Sequence, residues 1–392
     1  MRRRLLLVLG GVVAVSAGVV PVRSAARGQP APGAADGAAR PAKVRTLRLP
    51  ETPDRYADVE LPAHFKTAAV RRLDNTPSSN PVTDAGAALG RALFYDTRLS
   101  ANNAVSCASC HQQRHAFSDP RKFSTGHEGR PTDRNAMPLV EVRYYPRGRF
   151  FWDERAASLE DQVLMPVRNK VEMGQDVGRL VEIIAKDPNY PGLYRKAFGD
   201  PQVTRERTAM ALAQFVRSLV SYRSRYDEGL AKARSRDDDF PNFTREENRG
   251  KAVFMRACAS CHLPGGQDAA FTALAPLNTG LDADAKVADL GLADVTFNRF
   301  DAGRFKSPSL RNVEHTGPYM HDGRFQTLAE VVDHYGSGIK SHPNLDGRLR
   351  GPGRDRLRTS PGERAALVAF LKTLSDPAFL TDPKFSDPFE ER

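Results

Sequence analysis

Two stretches of the chain carry apolar residues at helical spacing, and the two stretches match each other. Residues 211–219 (ALAQFVRSL) and residues 366–374 (ALVAFLKTL) agree in character position by position. Each pattern predicts an amphipathic helix with one stripe facing a core. Ahead of them lie a second matching pair, GRALF at 90–94 and GKAVF at 250–254, where a further short helix is expected. The chain is therefore predicted to contain two similar helical units in tandem.

The segments between these helices are rich in proline and glycine. Examples are GHEGRPTDRNAMP at 126–138 and KSPSLRNVEHTGPYMHDG at 306–323. Such segments predict turns and loops, and few alternating apolar runs indicate strands. The predicted fold is mostly α, with long ordered loops.

The first 49 residues have a different character. In residues 1–26 a basic segment precedes an apolar stretch and small residues, which is the order of a secretory signal peptide and predicts export to the periplasm. The alternative is an uncleaved membrane anchor, because residues 5–22 are nearly long enough to cross a bilayer. Residues 27–49 predict a flexible linker. The remainder is long enough for two domains, 50–235 and 236–392, joined near the charged segment 234–243.

The composition gives a formal net charge of +11, and four of the positive charges lie in the signal segment. A basic protein is suited to docking an acidic partner. Nucleic acid is excluded as that partner, because no run of lysine and arginine is interleaved with aromatic residues.

The four cysteines of the chain occur in two copies of one pattern, Cys-Ala-Ser-Cys-His, at 107–111 and 258–262. This pattern predicts covalent c-type haem, bound through Cys107 and Cys110 in one copy and through Cys258 and Cys261 in the other. The adjacent histidines, His111 and His262, become axial iron ligands. A zinc site is a poorer explanation because the two pairs are far apart in sequence, and a thioredoxin-like pair lacks its βαβ context.

A second axial ligand decides whether a haem transfers electrons or binds substrate. His127 lies in a glycine-flanked loop with enough slack to fold over the first haem, so we expect it there. For the second haem the candidate is Met320, and its neighbours Tyr319 and His321 compete with it on spacing alone.

Between about residues 60 and 375 the sequence resembles the bacterial dihaem cytochrome c peroxidases and their relatives, the MauG enzymes. Four motifs in fixed order carry the resemblance: LGRALFYDTRLSANNAVSCASCH, STGHEGRPTDRNAMPLVEV, FFWDERAASLEDQVLMPVRNKVEMG and FKSPSLRNVEHTGPYMHDGRFQTLAEVVDHY. The resemblance implies two tandem class I cytochrome c-like domains, each with one covalent haem. It implies that the first haem reacts with peroxide, with His127 as a displaceable ligand, and that the second receives electrons, with Met320 as its ligand.

The resemblance also implies roles for further residues. Trp152 matches the family's tryptophan between the haems, where it relays electrons. Gln162 and Glu172 match the pair in the family's peroxide pocket. A calcium ion is implied between the domains, with Asn135 and the main-chain carbonyls of Asp301 and Gly303 as its ligands.

The function expected from these residues is reduction of hydrogen peroxide to water. The electron donor is expected to be a small acidic periplasmic protein, either a cytochrome c or a cupredoxin. Two alternatives stay open: a MauG-like enzyme that oxidises residues of a partner protein, and a dihaem electron carrier without peroxidase activity. The resemblance also implies that the protein can form a homodimer.

Overall fold

Helices dominate the fold, as the sequence pattern predicts. The structure, a computed structural model, describes residues 45–283, 289–350 and 359–391. The predicted signal peptide at 1–26 and most of the predicted linker at 27–49 lie outside the described residues. The described residues all fall within one compact body, Val44–Arg392. Within them, no helix combines the length and the apolar character that a membrane crossing requires.

Over the described residues the chain forms 15 α-helices and two strands. The helices are α1 (Ala68–Arg71), α2 (Asp84–Tyr95), α3 (Cys107–Cys110), α4 (Leu159–Gln162), α5 (Met165–Arg168), α6 (Val177–Lys186), α7 (Tyr190–Phe198), α8 (Arg205–Arg217), α9 (Arg225–Lys232), α10 (Arg245–Ala257), α11 (Ala259–His262), α12 (Ala293–Thr296), α13 (Leu328–Asp333), α14 (Pro361–Lys372) and α15 (Pro377–Thr381). Strand β1 (Arg45–Leu47) pairs antiparallel with β2 (Phe389–Glu391), with Arg45 opposite Glu391.

Short helical turns connect these elements. They are 3₁₀ turns at Ala63–Lys66, Thr97–Leu99, Gln113–His115, Val142–Tyr144, Pro264–Gly266, Arg299–Asp301, Val313–His315, Gly347–Leu349 and Pro383–Phe385, and a π turn at His334–Gly338.

Four long helices, α2, α8, α10 and α14, build the two units that the sequence predicts. Each begins at a threonine or serine whose hydroxyl accepts a hydrogen bond from the first turn: Thr83, Thr204, Thr244 and Ser360. Such caps satisfy amide groups that a helix start leaves without a partner. In α10 and α14 a glutamate three residues later returns a second bond and completes a capping box.

The same close crossing of two helices occurs once in each unit. A methyl group added at Gly90 of α2 would lie 2.0 Å from the carbonyl oxygen of Ala211 in α8. At Gly250 of α10 it would lie 1.8 Å from the carbonyl oxygen of Ala366 in α14. Glycine is therefore required at both positions by the approach of the opposite backbone. The repeat seen in the sequence is thus a repeat of tertiary packing.

The basic residue that follows each of these glycines forms hydrogen bonds with a segment of the chain that covers the unit. Arg91 donates hydrogen bonds to the carbonyls of Ser386 and Pro383, at 2.7 and 2.8 Å. Lys251 donates to the carbonyls of Arg236 and Asp238, at 2.5 and 2.6 Å. The first unit is therefore covered by the C-terminal tail, and the second by the segment that joins the units.

Two hydrophobic cores follow from this arrangement. The first is built on α2 and α8, with Phe94 and Phe215 in ring contact, and the second on α10 and α14, with Phe254 and Phe370 in the same relation. The sequence assigns residues 377–391 to the second domain. In the structure they pack on the first core through the buried side chains of Phe379 and Phe385. Described structure also begins five residues before the boundary at 50.

A buried ionic network joins the two units. Arg311 donates to both carboxylate oxygens of Asp227 at 2.9 Å, and Asp227 also bonds His64 at 2.8 Å. Glu141 is buried beside this network, where its Oε1 accepts the amide of Ser221 at 2.7 Å. Burial raises the pKa of Glu141 to about 8, against the opposing charge of Arg311.

Candidate functional site

The first haem-attachment motif forms α3 and the residue that follows it. The Nδ1–H of His111 donates to the carbonyl oxygen of Phe117 at 2.8 Å. Phe117 has a φ of 59°, a left-handed backbone that turns this carbonyl toward the ring. A histidine held at Nδ1 has its tautomer and orientation fixed, and Nε2 stays free to bind a metal.

The second motif repeats this arrangement around α11. The main chain of Phe271 acts on His262 by raising its pKa, and Phe271, like Phe117, has a positive φ, 47°. Burial lowers the pKa of His262 to about 4, partly opposed by the Phe271 carbonyl, so the ring is neutral. Its Nδ1 has no partner at hydrogen-bond geometry within the described structure.

Each motif opens into a cavity. The first cavity has a volume of about 650 Å³ and is lined by Cys110 and His111. The second has a volume of about 160 Å³ and is lined by Cys258 and His262. All four cysteines are free thiols, and burial raises the pKa of Cys107 and of Cys258 to about 12.

The chemistry of this donor set fits two covalent haem groups. Each cavity brings together one thiol that can form a thioether bond, with the second thiol of the motif three residues away, and a neutral imidazole that can bind iron. The part of the chain described here contains no cluster of three or more His, Cys, Asp or Glu residues that could hold another metal ion. The residues that would hold the groups are Cys107, Cys110 and His111 in the first cavity, and Cys258, Cys261 and His262 in the second.

Gln162 and Glu172 both line the first cavity with His111. Gln162 is the last residue of α4, and Glu172 follows α5. Burial raises the pKa of Glu172, partly opposed by the positive charge of Arg155, so its carboxyl group holds a proton more readily. The structure therefore brings together the pair that the resemblance implies.

Asn169 also lines this cavity and is a residue that the sequence reasoning missed. Its Nδ2 donates to Oε1 of Glu172 at 3.0 Å, and its Oδ1 accepts the amide of Val171 at 2.8 Å. This contact occupies Oε1 of Glu172. The available signal was the spacing of three residues between the two side chains in RNKVEMG.

His127 does not line the first cavity in this structure. Its ring packs against Gly174, where an added methyl group would lie 2.5 Å from Cε1 of the imidazole. The main-chain amide of His127 donates to the carbonyl of Glu172 at 2.9 Å, and its carbonyl accepts from Asn102 at 2.6 Å. The histidine is therefore held beside Glu172 but outside the cavity.

Met320 lines the second cavity, together with Tyr319 and His321. The hydroxyl of Tyr319 donates to the carbonyl of Val313 at 2.9 Å, which occupies its proton. The ring of His321 stacks on Phe305 with centroids 3.7 Å apart. Met320 has a positive φ of 73°, a backbone conformation that is strained for a methionine.

Trp152 lies in the wall between the cavities and lines both, as do Asn135 and Lys306. Its Nε1 donates to the carbonyl of Asn135 at 2.8 Å, and its own carbonyl accepts the amide of Lys306 at 2.8 Å. The indole ring is 9% exposed, so it is shielded from solvent on a path from one cavity to the other.

Within the described residues, no hydrogen bond joins Asn135 to Asp301 or Gly303, the other predicted calcium ligands. The side-chain amide of Asn135 donates to the carbonyls of Arg121 and Lys122, at 3.1 and 3.2 Å. The carbonyl of Asp301 accepts the amide of Arg304, and Gly303 packs near Asn278.

Comparison with known proteins supplies two family models. The one described as di-haem cytochrome c peroxidase matches residues 84–235, and the one described as cytochrome c matches residues 247–375. Together these models imply two haem c groups, one for each of the two cavities.

Three individual proteins show how far the similarity extends. Methylamine utilization protein MauG of Methylorubrum extorquens is 36% identical, over 81% of this chain and 86% of that protein. Cytochrome c551 peroxidase of Nitrosomonas europaea is 31% identical, over 74% of this chain and 79% of that protein. A crystal structure of a MauG-like protein associated with microbial copper homeostasis is 34% identical with a TM-score of 0.69, over 80% of this chain and 96% of that one.

Proposed function

Because this chain belongs to the family of di-haem cytochrome c peroxidases and MauG proteins, we propose that it reduces hydrogen peroxide to water. The observation that carries the proposal is the first cavity, where Glu172 and Gln162 lie with His111. Cleavage of peroxide needs a group that moves a proton between its two oxygens, whereas an electron carrier needs none. When attached, haem c supplies the electron exchange that the reduction requires.

Glu172 is the proton carrier in this proposal. Asn169 occupies its Oε1, so Oε2 accepts a proton from one peroxide oxygen and returns it to the other as the O–O bond breaks. The raised pKa of the carboxyl group suits this exchange, since general acid–base catalysis works best when the pKa is near the operating pH. Two electrons and two further protons complete the conversion of one peroxide to two waters.

Gln162 orients the substrate. Its amide carries both a donor and an acceptor, so from the same cavity it can hydrogen-bond to an O–H group and to an oxygen of peroxide. The first domain, 50–235, is thus proposed to carry out the chemistry.

Electrons enter at the second domain, 236–392, and pass by way of Trp152. The second cavity has an apolar lining around His262, which suits electron transfer without substrate binding. Met320 is proposed as its axial ligand, supported by the bond that occupies the hydroxyl of Tyr319. The donor is proposed to be a small acidic cytochrome c or cupredoxin of the periplasm, in keeping with the net positive charge of the chain.

His127 is proposed to be a displaceable ligand, supported by its position next to Glu172, a residue of the cavity lining. Electron paramagnetic resonance tests this on the fully oxidised and half-reduced protein. A low-spin first haem that becomes high-spin on half-reduction supports displacement, and replacement His127→Gly should then give activity without prior reduction. A first haem that is high-spin in both forms contradicts the proposal.

A calcium ion at Asn135, Asp301 and Gly303 is proposed to support the same displacement. Chelation of calcium should then prevent the spin-state change on half-reduction, and added calcium should restore it. A change that persists in chelated protein with no bound calcium contradicts this part.

The decisive experiment measures oxidation of a reduced small cytochrome c with and without hydrogen peroxide. Peroxide-dependent oxidation, with two cytochromes oxidised per peroxide, is expected. Oxidation without peroxide dependence, or none, would reject the proposal and leave an electron carrier.

A MauG-like oxidation of a partner protein is the second candidate, favoured by the identity of 36% to a MauG protein. It requires a tyrosine ligand at the second haem, which Tyr319 would have to supply. The near-infrared charge-transfer band of a methionine-ligated haem separates the two. Its presence supports the peroxidase, and its absence supports the MauG-like activity.

A further inference from the structure

Among the described residues of the second half of the chain, two lysines are buried, and their surroundings differ. Lys251 is 2% exposed, donates to two main-chain carbonyls and lies 4.3 Å from the centre of the Phe240 ring. Lys306 is 4% exposed and lies 4.4 Å from the centre of the Tyr145 ring. Its closest polar contact is Sδ of Met137, a weak acceptor, at 3.6 Å.

No carboxylate within the described residues lies at ion-pair distance from Lys306. Glu154 exerts only a longer-range attraction on it, and burial lowers the pKa of the ammonium to about 8. Taking an ammonium group out of water without a counter-charge is costly, so buried charges in proteins are paired. The buried ammonium of Lys306 therefore has no counter-charge among the described residues, whereas that of Lys251 has two carbonyl acceptors.

Lys306 is the one lysine or arginine of the described residues that lines both cavities. The other two cations of the first cavity are paired: Arg134 with Asp153 and Asp289, and Arg155 with Asp153. In the shared wall, Nε1 of Trp152 and Nδ2 of Asn135 already donate to carbonyls. The ammonium of Lys306 thus holds the free hydrogen-bond donors of this wall.

We propose that Lys306 is the counterion of a haem propionate in the wall between the two cavities. Haem is the group that these cavities are built to hold, and its propionates are carboxylates that must be paired where water is excluded. Lys306 acts as a positioning residue, since it sets the charge around the haem edge beside Trp152. This inference rests on haem attachment and is independent of peroxide chemistry.

The test is a spectroelectrochemical titration of the intact di-haem protein in the absence of peroxide. Removing a positive charge beside a haem destabilises its reduced form, so Lys306→Met should lower the potential of at least one haem. We expect a change of at least tenfold in the reduction equilibrium, which is about 59 mV for a one-electron couple. Lys306→Arg keeps the charge and should stay within twofold of the wild type.

Lys251→Met is the matched control, because it also removes a buried lysine over an aromatic ring but lines neither cavity. It should leave both potentials within twofold of the wild type. If Lys306→Met does not fold, Lys306→Gln replaces it and should show the same tenfold fall.

Potentials of the neutral Lys306 variant within twofold of the wild type at both haems would overturn the proposal. An equal shift in Lys251→Met would overturn it as well. Because no peroxide is present, either result leaves the peroxidase proposal untouched.

Discussion

The two halves of this protein share their scaffold and differ in what faces their cavities. In both, a glycine lets one helix cross another at backbone contact, and a phenylalanine carbonyl lies beside the histidine of Cys-Ala-Ser-Cys-His. The first cavity, however, is lined by carboxylate, amide and guanidinium groups, whereas the second is mainly apolar. The repeat has kept the elements around each Cys-Ala-Ser-Cys-His motif and varied the residues that line the cavities.

This contrast is informative because the shared parts are backbone features. The helix crossings and the carbonyls depend on the path of the chain, which side-chain changes around the cavities leave intact. A cavity can therefore exchange a proton-carrying group for an apolar one without loss of its support. The loops between the helices are where the two halves diverge.

The largest expected effect comes from Glu172, the proposed proton carrier, which lines the first cavity and not the second. Glu172→Gln removes the proton carrier and should lower kcat for peroxide reduction by about 10²–10⁴-fold. Glu182→Gln is the control, because Glu182 is exposed on α6 and does not line the cavity. Steady-state kinetics measures both, and equal rates for Glu172→Gln and wild type would refute the assigned role.

The next effect tests whether the two helix crossings, which match in geometry, also contribute equally to the stability of the protein. Gly90→Ala and Gly250→Ala should each destabilise the protein by about 1–3 kcal/mol, because the added methyl group forces two backbones apart. Gly192→Ala, in α7, meets nothing within 4 Å and should be neutral or stabilising. Thermal denaturation measures all three, and unchanged stability at either crossing would break the equivalence.

A smaller effect concerns the seam between the halves. The pKa of Glu141 is raised to about 8, so the folded state binds this proton more tightly than the unfolded state. The stability that protonated Glu141 contributes is full below about pH 4.5 and is lost as the pH rises toward about 8. Glu141→Gln keeps an acceptor for Ser221 and cannot ionise, so its melting temperature should fall less over this range.

Glu160→Gln is the contrasting variant for that measurement. Burial raises the pKa of Glu160, but the hydrogen bonds from Arg217 and Asn80 and the charge of Arg217 together lower it below its ordinary value. Its contribution is therefore present above the unfolded pKa and is lost as the pH falls, the opposite sign. A steeper pH dependence in Glu141→Gln than in wild type would contradict the prediction for the seam.

The smallest effect refines the first cavity. Asn169→Ala removes one hydrogen bond to Glu172, worth about 1 kcal/mol, and should lower kcat/KM for peroxide about fivefold. Asn189→Ala serves as the control, since Asn189 is exposed and bonds Asp187 away from the cavity. A loss as large as that of Glu172→Gln would mean that Asn169 does more than orient the carboxylate.

Much of the scaffold could be predicted from the sequence. The apolar spacing of ALAQFVRSL and ALVAFLKTL identified helices that build the cores, and Cys-Ala-Ser-Cys-His predicts the attachment points. Both are local patterns, with the chemistry and the spacing in one short segment. The mostly helical fold and the membership of the peroxidase and MauG family were predicted correctly.

The parts that could not be predicted depend on contacts distant in sequence. The position of His127 is decided by the space that Gly174 leaves for its ring, 47 residues further on. Lys306 lies within the motif that begins FKSPSLRN, but only the folded structure shows that no carboxylate of the described residues pairs with it where it lines both cavities with Trp152 and Asn135. The return of residues 377–391 to the first core likewise leaves no trace in local periodicity.

That return has a consequence for how the protein is made. Strand β2 pairs with β1, and the carbonyls of Ser386 and Pro383 bind Arg91 inside the first half. Residues 377–391 are synthesised long after β1 and α2, so the first core is completed only when they have joined it. Cys107 packs against this core and Cys258 against the other, so we expect Cys107 to be buried later than Cys258 during folding.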